Sequence, residues 1–578
     1  MKKLFLIIFF VIKIVASRDE GQRNIFKNNL QGLPAAFGDY NSDRLIDIFL
    51  IDKSRKKFDI LLAQIEEPLF KKSNLTCSTD EVMTSIVPGD YNGDGSMDIL
   101  VTTTSIKKTP NNLTNVYVIW GNDDDGKLNC SSLNNKNPYI QIKGEPLIVD
   151  YNNDMIVDIF ATNINNKRTF WSFENDHFKK SNNTKFPIEL PSIRVPHANA
   201  FLDLNNDYYS DLVVTTDSHL EVWSNNNNKY LLSKNISWTD DGIDVSDNGH
   251  IGQSIYLDVQ RKGKMDLIVP VCHDEMCRNC SIFVHDNRYY NLNINFTNEI
   301  DNEEWSFLSP SEFSDMIYNN MITLRAGDYN IDGYPDLLAT LISKNTSKIK
   351  SFLLLNEECK NCDGFNRTFK IQWQMAFGEF NNDIVMAVFY DFYQDGILDI
   401  IMVNYNKTYD EYSLDTFING GNYDATFIQV MVTSANLPGP SVSYTAEFLD
   451  DTKQTSVASQ LSQSAHFSLN LPYIILGLGR TTNVVEELDI GISGRHRSWD
   501  RIIPNMQLVV TPQPLDQPNK WTIRQFIRIN NTLKTIAIFL ISLWFCLAAV
   551  IYLFWLNECK EDQIERKQNA LKFHYDAL

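Results

Sequence analysis

Acidic and amide side chains alternate along a short loop with the sequence GDYNGDGSMDIL. They occupy positions 1, 3, 5 and 9 of the loop, at Asp90, Asn92, Asp94 and Asp98. This spacing directs several oxygen atoms toward one centre, and hard cations such as Ca²⁺ take several oxygen ligands. Gly95 at position 6 permits a sharp reversal that a side chain would resist. Apolar residues follow at once, so the pattern predicts a calcium site that leads into a strand, unlike the helix-flanked loop of an EF-hand.

The same nine-residue pattern occurs seven times. The copies begin at Asp39, Asp90, Asp150, Asp203, Asp258, Asp328 and Asp391, so successive copies are 51 to 70 residues apart. That period suits a four-stranded blade with long loops, because the blade repeats of propellers run about 40–50 residues. A propeller closes on itself and hides its strand edges, whereas a solenoid needs capping repeats. The repeats therefore predict an all-β fold with a seven-bladed β-propeller over residues 18–425.

The copies differ in the ligands they keep. The second and sixth copies have four side-chain ligands and glycine at position 6, whereas the first, third and fourth keep the ligands without the glycine. The seventh has Tyr393 at position 3. The fifth has Lys262 at position 5, where an ammonium group would oppose a cation and could instead pair with Asp258. We therefore predict five complete sites, a depleted seventh copy and no site in the fifth.

The predicted calcium ligands form six sets, one for each loop that keeps them. They are Asp39, Asn41, Asp43 and Asp47; Asp90, Asn92, Asp94 and Asp98; Asp150, Asn152, Asp154 and Asp158; Asp203, Asn205, Asp207 and Asp211; Asp328, Asn330, Asp332 and Asp336; and Asp391, Asp395 and Asp399. The alternative interpretation is that aspartate, asparagine and glycine serve only as turn residues. Seven copies with aspartate at positions 1 and 9 favour the calcium interpretation.

Two apolar segments set the predicted topology. Residues 1–17 have two lysines before a short apolar run and small residues at the end, which is typical of a secretory signal peptide. Residues 535–556 form an uncharged run long enough to cross a bilayer. Together they predict a type I membrane protein with its ectodomain outside the cell and a cytoplasmic tail at 557–578.

Glycosylation sequons and net charge agree with an extracellular environment. The formal net charge is −20, which argues against nucleic-acid binding. Eleven N-x-S/T sequons lie between the two apolar segments. Their asparagines are Asn74, Asn112, Asn129, Asn182, Asn235, Asn279, Asn295, Asn345, Asn366, Asn406 and Asn530.

Seven cysteines lie between the two apolar segments. The cluster CHDEMCRNC could hold zinc through Cys272, His273, Cys277 and Cys280, but an oxidising compartment favours disulfides. Cys77–Cys130 and Cys359–Cys362 are the pairs that we expect. Because seven is odd, one thiol is free or pairs between chains.

Residues 426–525 lack the repeat and contain short apolar runs separated by Pro, Gly and Ser turns. They predict a small β-sandwich-like domain next to the membrane. The expected strands are Ala425–Ser434, Ser443–Leu449, His466–Leu471, Glu486–Ile492 and Met506–Thr511. The segment GLGRTTN (Gly477–Asn483) resembles part of a dinucleotide-binding loop, but no βαβ unit surrounds it, so we expect a structural turn.

Two segments carry a family resemblance. The repeats GDYNGDGSMD and AGDYNIDGYPD resemble the FG-GAP repeat of integrin α-chain propellers, whose outward loops bind Ca²⁺. The order of signal peptide, repeats, QTSVASQLSQSAHFSLNLPYIILGLGRTTN (454–483), ELDIG and RIIPNMQLVVTP (501–512) before one membrane span resembles the T-cell immunomodulatory protein (linkin) family. This resemblance covers nearly the whole mature chain. It implies a surface glycoprotein related to integrin α-chains and linked to cell adhesion and to modulation of T-cell responses.

Motifs of catalysis are scarce. The sequence has no G-x-S-x-G and no H-E-x-x-H, and its nine histidines show no metal-ligand pattern. We therefore expect a binding module with structural Ca²⁺ and an extracellular or membrane protein partner, and neither an enzyme nor a binder of nucleic acid or small-molecule substrates. The alternatives are a propeller hydrolase or lyase with its site at the central channel, and a secretory-pathway component that does not reach the surface.

Overall fold

The fold is seen in a computed structural model. It describes residues 25–26, 30–104, 113–121, 128–181, 186–187, 189–239, 242–245, 249–313, 317–359, 362, 364–377, 383–421, 423–433, 436–447, 453–464, 466–480, 484–527 and 531–575. The predicted signal peptide and the sequon residues Asn112, Asn182 and Asn530 lie outside the described residues. Arg23–Phe526 form one compact unit, and the C-terminal helix belongs to another.

Three antiparallel sheets make up the first half of the repeat region, as its short apolar runs between turn residues predict. The first contains, in order, β1 (Leu33–Gly38), β2 (Asp47–Ile51), β3 (Lys57–Ala63) and β4 (Phe70–Ser78). The second contains, in order, β5 (Val82–Gly89), β6 (Asp98–Thr104), β7 (Leu113–Ile119), β8 (Ile140–Val149), β9 (Asp158–Asn163), β10 (Arg168–Glu174) and β11 (His177–Lys180). The third contains β12 (Ala200–Leu202), β13 (Asp211–Thr215), β14 (His219–Asn226) and β15 (Lys229–Ser237). A short helix α1 (Ser131–Asn134) follows β7.

Three further antiparallel sheets make up the second half. The fourth contains β16 (His250–Ile251), β17 (Ile255–Leu257), β18 (Asp266–Cys272), β19 (Cys280–His285) and β20 (Tyr289–Asn291). The fifth contains β21 (Thr297–Asn298), β22 (Glu303–Phe307), β23 (Leu324–Gly327), β24 (Asp336–Ser343), β25 (Ile349–Glu358) and β26 (Arg367–Phe377). The sixth contains β27 (Asp383–Tyr390), β28 (Asp399–Asn406) and β29 (Glu411–Phe417). A 3₁₀ turn, Ile317–Asn319, precedes β23.

All seven repeat loops join two neighbouring antiparallel strands in the same register. The residue before position 1 pairs with the aspartate at position 9, as Gly38 pairs with Asp47 and Gly327 with Asp336. The second sheet carries two of the loops, because β8 pairs with β7 on one side and with β9 on the other. The mostly-β propeller fold is thus confirmed, and the number of blades stays a prediction.

Two four-stranded sheets form the membrane-proximal domain. One has the order β33-β30-β36-β37 and the other β32-β31-β34-β35, and their inner faces share one apolar core. The strands are β30 (Thr426–Val432), β31 (Ser441–Glu447), β32 (Lys453–Ser459), β33 (Ile474–Gly479), β34 (Val485–Ile492), β35 (Arg495–Ile502), β36 (Met506–Thr511) and β37 (Thr522–Phe526). A second 3₁₀ turn, Pro518–Lys520, precedes β37.

One strand expected in this domain was wrong. His466–Leu471 is not a strand, because Phe467 and Leu469 have φ values of 40° and 51°, in the left-handed region that a strand does not use. The first three residues of the expected turn at Gly477–Asn483 belong to β33, which runs to Gly479, and residues 481–483 lie outside the described residues. Four strands that the sequence did not predict, β32, β33, β35 and β37, complete the two sheets.

Residues 460–464 and 466–473, which we call the channel segment, lie among the first strands of the repeats. The Gln463 side chain hydrogen bonds to the backbone of Phe37 in β1, and the backbone N–H of Ile148 in β8 donates to Ser464 Oγ at 2.8 Å. Arg325 in β23 donates to the carbonyl oxygen of Phe467 at 2.8 Å. A loop of the membrane-proximal domain therefore lies among the inner strands of the propeller.

The helix α2 (Asn531–Tyr575) contains the predicted membrane span. By length and composition, Thr535–Asn569 is apolar enough to cross a membrane. The predicted span ends at residue 556, but the helix continues through most of the predicted cytoplasmic tail.

Candidate metal centres in the repeat loops

The aspartate at position 1 organises each repeat loop. In the Asp90 loop its carboxylate accepts hydrogen bonds from the backbone N–H groups of Gly93 at 2.7 Å and Gly95 at 2.9 Å. The Asp150 carboxylate accepts equivalent bonds from Asp154 and Met155 at 3.1 and 3.0 Å. The same carboxylate-to-amide pattern occurs in the loops that begin at Asp39, Asp203, Asp258, Asp328 and Asp391. The loop conformation is therefore built even in the fifth and seventh copies, which lack a full ligand set.

Positions 4 and 6 reverse the chain through the left-handed region. Gly95 and Gly333, at position 6, have φ values of 83° and 87°. Non-glycine residues adopt the same conformation at position 6 of other copies, as Met155 does with φ 68° and Tyr208 with φ 66°. The predicted reversal at position 6 is present, and the surrounding hydrogen bonds impose it where glycine is missing.

The aspartate at position 9 fastens the loop to its sheet. Asp98 Oδ2 accepts the backbone N–H of Tyr91 at 2.9 Å, and its Oδ1 accepts that of Gly121, which follows β7, at 2.9 Å. Asp158 keeps only the first of these bonds, from Tyr151 at 3.3 Å. Its Oδ1 is buried and has no hydrogen-bond partner among the described residues. Asp328 Oδ1, at position 1 of its loop, is likewise buried and has no hydrogen-bond partner among the described residues.

Burial places the inner carboxylates in an unfavourable electrostatic environment. Desolvation raises the pKa of Asp98 to about 7, of Asp150 to about 7 and of Asp328 to about 8, and neighbouring carboxylates add to the rise. Burial likewise raises the pKa of Asp47 to about 8 and of Asp211 to about 7. A divalent cation between such carboxylates would supply the opposite charge that they lack.

The Asp150 loop has the geometry closest to a cation site. One carboxylate oxygen from each of Asp150, Asp154 and Asp158 lies within 4.8 Å of the others. Among the described residues this is the one group of acidic, histidine or cysteine side chains that converges so closely. The amide of Asn152 lies beside it, with Nδ2 donating to Asp154 Oδ2 at 2.7 Å. These residues fit a hard, oxygen-preferring cation.

The Asp258 loop departs from the pattern, as its sequence predicts. The backbone N–H of Lys262 donates to Asp258 at 2.9 Å, but the expected ion pair of the Lys262 ammonium with Asp258 is not among the contacts of the described residues. Arg261, which sequence reasoning missed, instead reaches the next repeat, where Nη1 donates to the carbonyl oxygen of Asp332 at 3.0 Å. A cationic side chain from one loop thus sits beside the acidic loop of another.

The membrane-proximal domain packs against the repeat loops. The backbone N–H of Gly479 in β33 donates to the carbonyl oxygen of Ile331 at 3.0 Å, and that of Gly494 donates to Tyr208 at 2.8 Å. A Cβ atom at Gly477 would lie 1.9 Å from Asp328 Oδ2, so only glycine fits beside that loop. The loops are therefore part of the interface between propeller and membrane-proximal domain.

The cysteines form disulfides in preference to a zinc site. Cys77–Cys130 and Cys359–Cys362 are bonded, as expected. Cys272 and Cys277 form a third disulfide and Cys280 is free, so the four-ligand zinc arrangement is not present. Seven described sequon asparagines are exposed and Asn406 is half-buried, so these side chains are accessible: Asn74, Asn129, Asn235, Asn279, Asn295, Asn345 and Asn366.

Family models match both the repeat region and the domain that follows it. The model described as FG-GAP-like repeat matches residues 39–101, and the model described as ITFG1, C2 domain matches residues 432–526. The chain is therefore an FG-GAP-repeat propeller protein with a C2-type domain before its apolar helix.

Proteins that are similar along nearly the whole chain identify the family within this class. The T-cell immunomodulatory protein of Homo sapiens is 32% identical, over 96% of this chain and 94% of that protein. Protein linkin of Caenorhabditis elegans is 26% identical over 100% of both chains. The solved Cps50 (Swd1) propeller domain of Myceliophteria thermophila is 8% identical, with a TM-score of 0.30, over 68% of this chain and 100% of that one. The chain belongs to the T-cell immunomodulatory protein family.

Proposed function

We propose that this protein is a type I cell-surface glycoprotein that recognises an extracellular protein partner through a calcium-braced propeller. The observation that carries the proposal is the convergence of Asp150, Asp154 and Asp158 within one of seven similarly built loops. In this role calcium is structural, because it neutralises buried carboxylates at the base of each strand pair.

The position of the loops supports a bracing role for calcium over direct contact with a partner. Ile331 and Tyr208 lie in two different loops, and both accept backbone hydrogen bonds from the membrane-proximal domain. Calcium at such loops would stiffen the interface between the two parts of the ectodomain. The partner would then meet the propeller on surfaces away from these loops.

The family relationship supports the biological role that we propose. Relatives along nearly the whole chain are named T-cell immunomodulatory protein. We therefore propose a role in cell adhesion and in the modulation of immune responses.

The cavities around the channel segment have volumes of about 10–170 Å³, below the roughly 300–1,000 Å³ of ligand pockets. This size does not favour the alternative of an enzyme acting at the central channel.

Thermal unfolding of the full chain in detergent tests whether calcium stabilises the folded protein. Extracellular calcium modules have dissociation constants of roughly 10⁻⁴–10⁻³ M, so we would compare about 5 mM Ca²⁺ with chelator. We expect calcium to raise the melting temperature by about 2 °C or more, since a ligand that binds only the folded state stabilises it. Asp154→Ala should reduce the rise, and Asp80→Ala, at an exposed aspartate outside the loops, should not. Equal melting temperatures in calcium and chelator would refute the proposal.

Surface labelling tests the location. A membrane-impermeant biotin reagent should label the chain on intact cells, and glycosidase treatment should lower its apparent mass. Labelling only after permeabilisation would support the alternative of a secretory-pathway component.

A further inference from the structure

Five residues that each carry a buried polar atom without a hydrogen-bond partner line one small cavity beside the channel segment. The cavity has a volume of about 50 Å³ and lies between β17, β23 and the channel segment. Within the described residues, no hydrogen bond reaches these atoms, which are Gln253 Oε1, Ser254 Oγ, Tyr256 Oη, Arg325 Nε and Ser468 Oγ. Buried polar atoms are rarely left without partners, so the cavity is expected to hold a bound group. Four of the five atoms can donate a hydrogen bond to that group, whereas Gln253 Oε1 accepts one and needs a donor such as water.

Arg325 gives the cavity its charge. Its side chain is 6% exposed, and its Nη2 and Nη1 atoms donate to the carbonyl oxygens of Phe467 at 2.8 Å and Ala387 at 3.3 Å. It forms no ion pair with a carboxylate of the described residues. Burial lowers the pKa of Arg325 to about 10, and no charged neighbour contributes to that value. Since a guanidinium stays protonated in proteins, a buried positive charge borders the cavity without an ion-pair partner among the described residues. Asp258 and Asp328 border a larger cavity that Arg325 also lines.

Two other arginines, one buried and one half-buried, have negative neighbours. Arg168 forms an ion pair with Glu221 at 2.5 Å. The guanidinium of Arg194 also donates to two carbonyl oxygens, of Ile251 and Gly252, but the charge of Asp217 acts on it. Arg194 does not line this cavity. The missing counter-charge at Arg325 is therefore a property of its site and not of buried arginines in general.

We propose that this cavity binds a small monovalent anion, such as chloride, through Arg325 and the hydroxyl groups around it. Nε of Arg325 and the hydroxyls of Ser254, Tyr256 and Ser468 can all donate hydrogen bonds to an anion. A water molecule needs about 10–15 Å³ of such volume, so the space accepts one small anion together with a few water molecules. Nucleotides, sugars and large carboxylates do not fit.

The anion would join the two parts of the ectodomain. Ser254 and Tyr256 belong to the propeller, whereas Ser468 belongs to the channel segment of the membrane-proximal domain. A shared ion at their junction would hold the segment in the channel. This contribution is independent of calcium in the repeat loops.

Anion-dependent thermal unfolding of the full chain in detergent tests the proposal. Sodium chloride, bromide or formate would be compared with sodium gluconate at equal ionic strength and with chelator present, because gluconate is too large for the cavity. We expect the melting temperature to be about 2 °C or more higher in the small anions. Arg325→Met should abolish this difference. Arg194→Met, which removes a half-buried arginine outside the cavity, should keep it.

A direct measurement covers the case in which Arg325→Met does not fold. Full-length protein equilibrated in bromide is desalted into gluconate buffer and denatured, and the released bromide is measured by ion chromatography. We expect close to one bromide per chain, and a several-fold loss in Ser254→Ala, which removes one donor. Equal melting temperatures in chloride and gluconate, together with no retained bromide, would show that the cavity holds only water and would overturn the proposal.

Discussion

The side-chain amide of Gln463 pairs with both backbone groups of Phe37, a residue 426 positions earlier in the chain. The Phe37 N–H donates to Gln463 Oε1 at 2.6 Å, and Gln463 Nε2 donates to the Phe37 carbonyl oxygen at 2.5 Å. The amide thus acts like an additional strand residue against β1. Because the first strands of the propeller have no further strand on their inner side, the channel segment satisfies backbone groups that would otherwise face a cavity.

Gln463→Leu should destabilise the compact unit Arg23–Phe526. The substitution removes the acceptor for the Phe37 N–H, whereas the Phe37 carbonyl oxygen keeps the amide of Asn436 at 2.8 Å. One buried N–H without a partner costs about 1–3 kcal/mol. Urea denaturation of the full chain would measure the loss, with Gln374→Leu at an exposed position of β26 as the control. Equal loss in both variants would contradict a specific role for Gln463.

The repeat loops could be predicted from the sequence because their determinants are local. The aspartates at positions 1 and 9 hold backbone N–H groups within a few residues, as Asp90 holds Gly93 and Asp98 holds Tyr91. Spacing alone therefore predicted both the reversal and the start of the following strand. The relative quality of the sites was not predictable, because the convergence of Asp150, Asp154 and Asp158 depends on side-chain positions that spacing does not determine.

The channel segment could not be predicted because its partners are distant in sequence. His466–Leu471 alternates apolar and polar residues like a strand, but its backbone bends at Phe467 and Leu469 to fit among the inner strands. The outer strands β35 and β37 were missed for a different reason. Most of their side chains are exposed or half-buried, so their sequences lack the apolar alternation that marks a strand.

Gly95→Ala should destabilise the second repeat loop through backbone strain alone. Gly95 has a φ of 83°, and a Cβ atom there would meet nothing within 4 Å. A side chain in the left-handed region costs about 1–2 kcal/mol. Gly420→Ala is the matched control, because its added Cβ also meets nothing within 4 Å but its φ lies outside that region. Chemical denaturation should show a loss for Gly95→Ala and little change for Gly420→Ala; the reverse order would refute the explanation.

Acid should weaken the ion pair between Arg168 and Glu221. Burial raises the pKa of Glu221, but hydrogen bonds and charge from Arg168 outweigh it and hold the pKa below its usual value of 4.5. The pair therefore stabilises the fold fully above about pH 4.5, and this contribution is lost as the pH falls through the lower pKa of the folded state.

Glu221→Gln should remove that pH dependence and leave the guanidinium unpaired. The expected loss at pH 7 is about 3–5 kcal/mol, because both side chains are at most 3% exposed. Denaturation between pH 3 and 7 would measure it, with Glu174→Gln as the control, since Glu174 pairs with Lys179 on the surface. An unchanged pH profile in Glu221→Gln would contradict the assignment.

The Asp150 loop should dominate the calcium response although its position 6 is Met155 and not glycine. Its three carboxylates already converge, whereas those of the Asp90 loop do not converge as closely and are satisfied by backbone N–H groups. Asp154→Asn should therefore lower the calcium-induced rise in melting temperature more than Asp94→Asn, its equivalent at position 5. Calcium titrations followed by differential scanning fluorimetry would compare the two variants with the wild type. A larger effect of Asp94→Asn would show that glycine at position 6 matters more for the site than the convergence of its carboxylates.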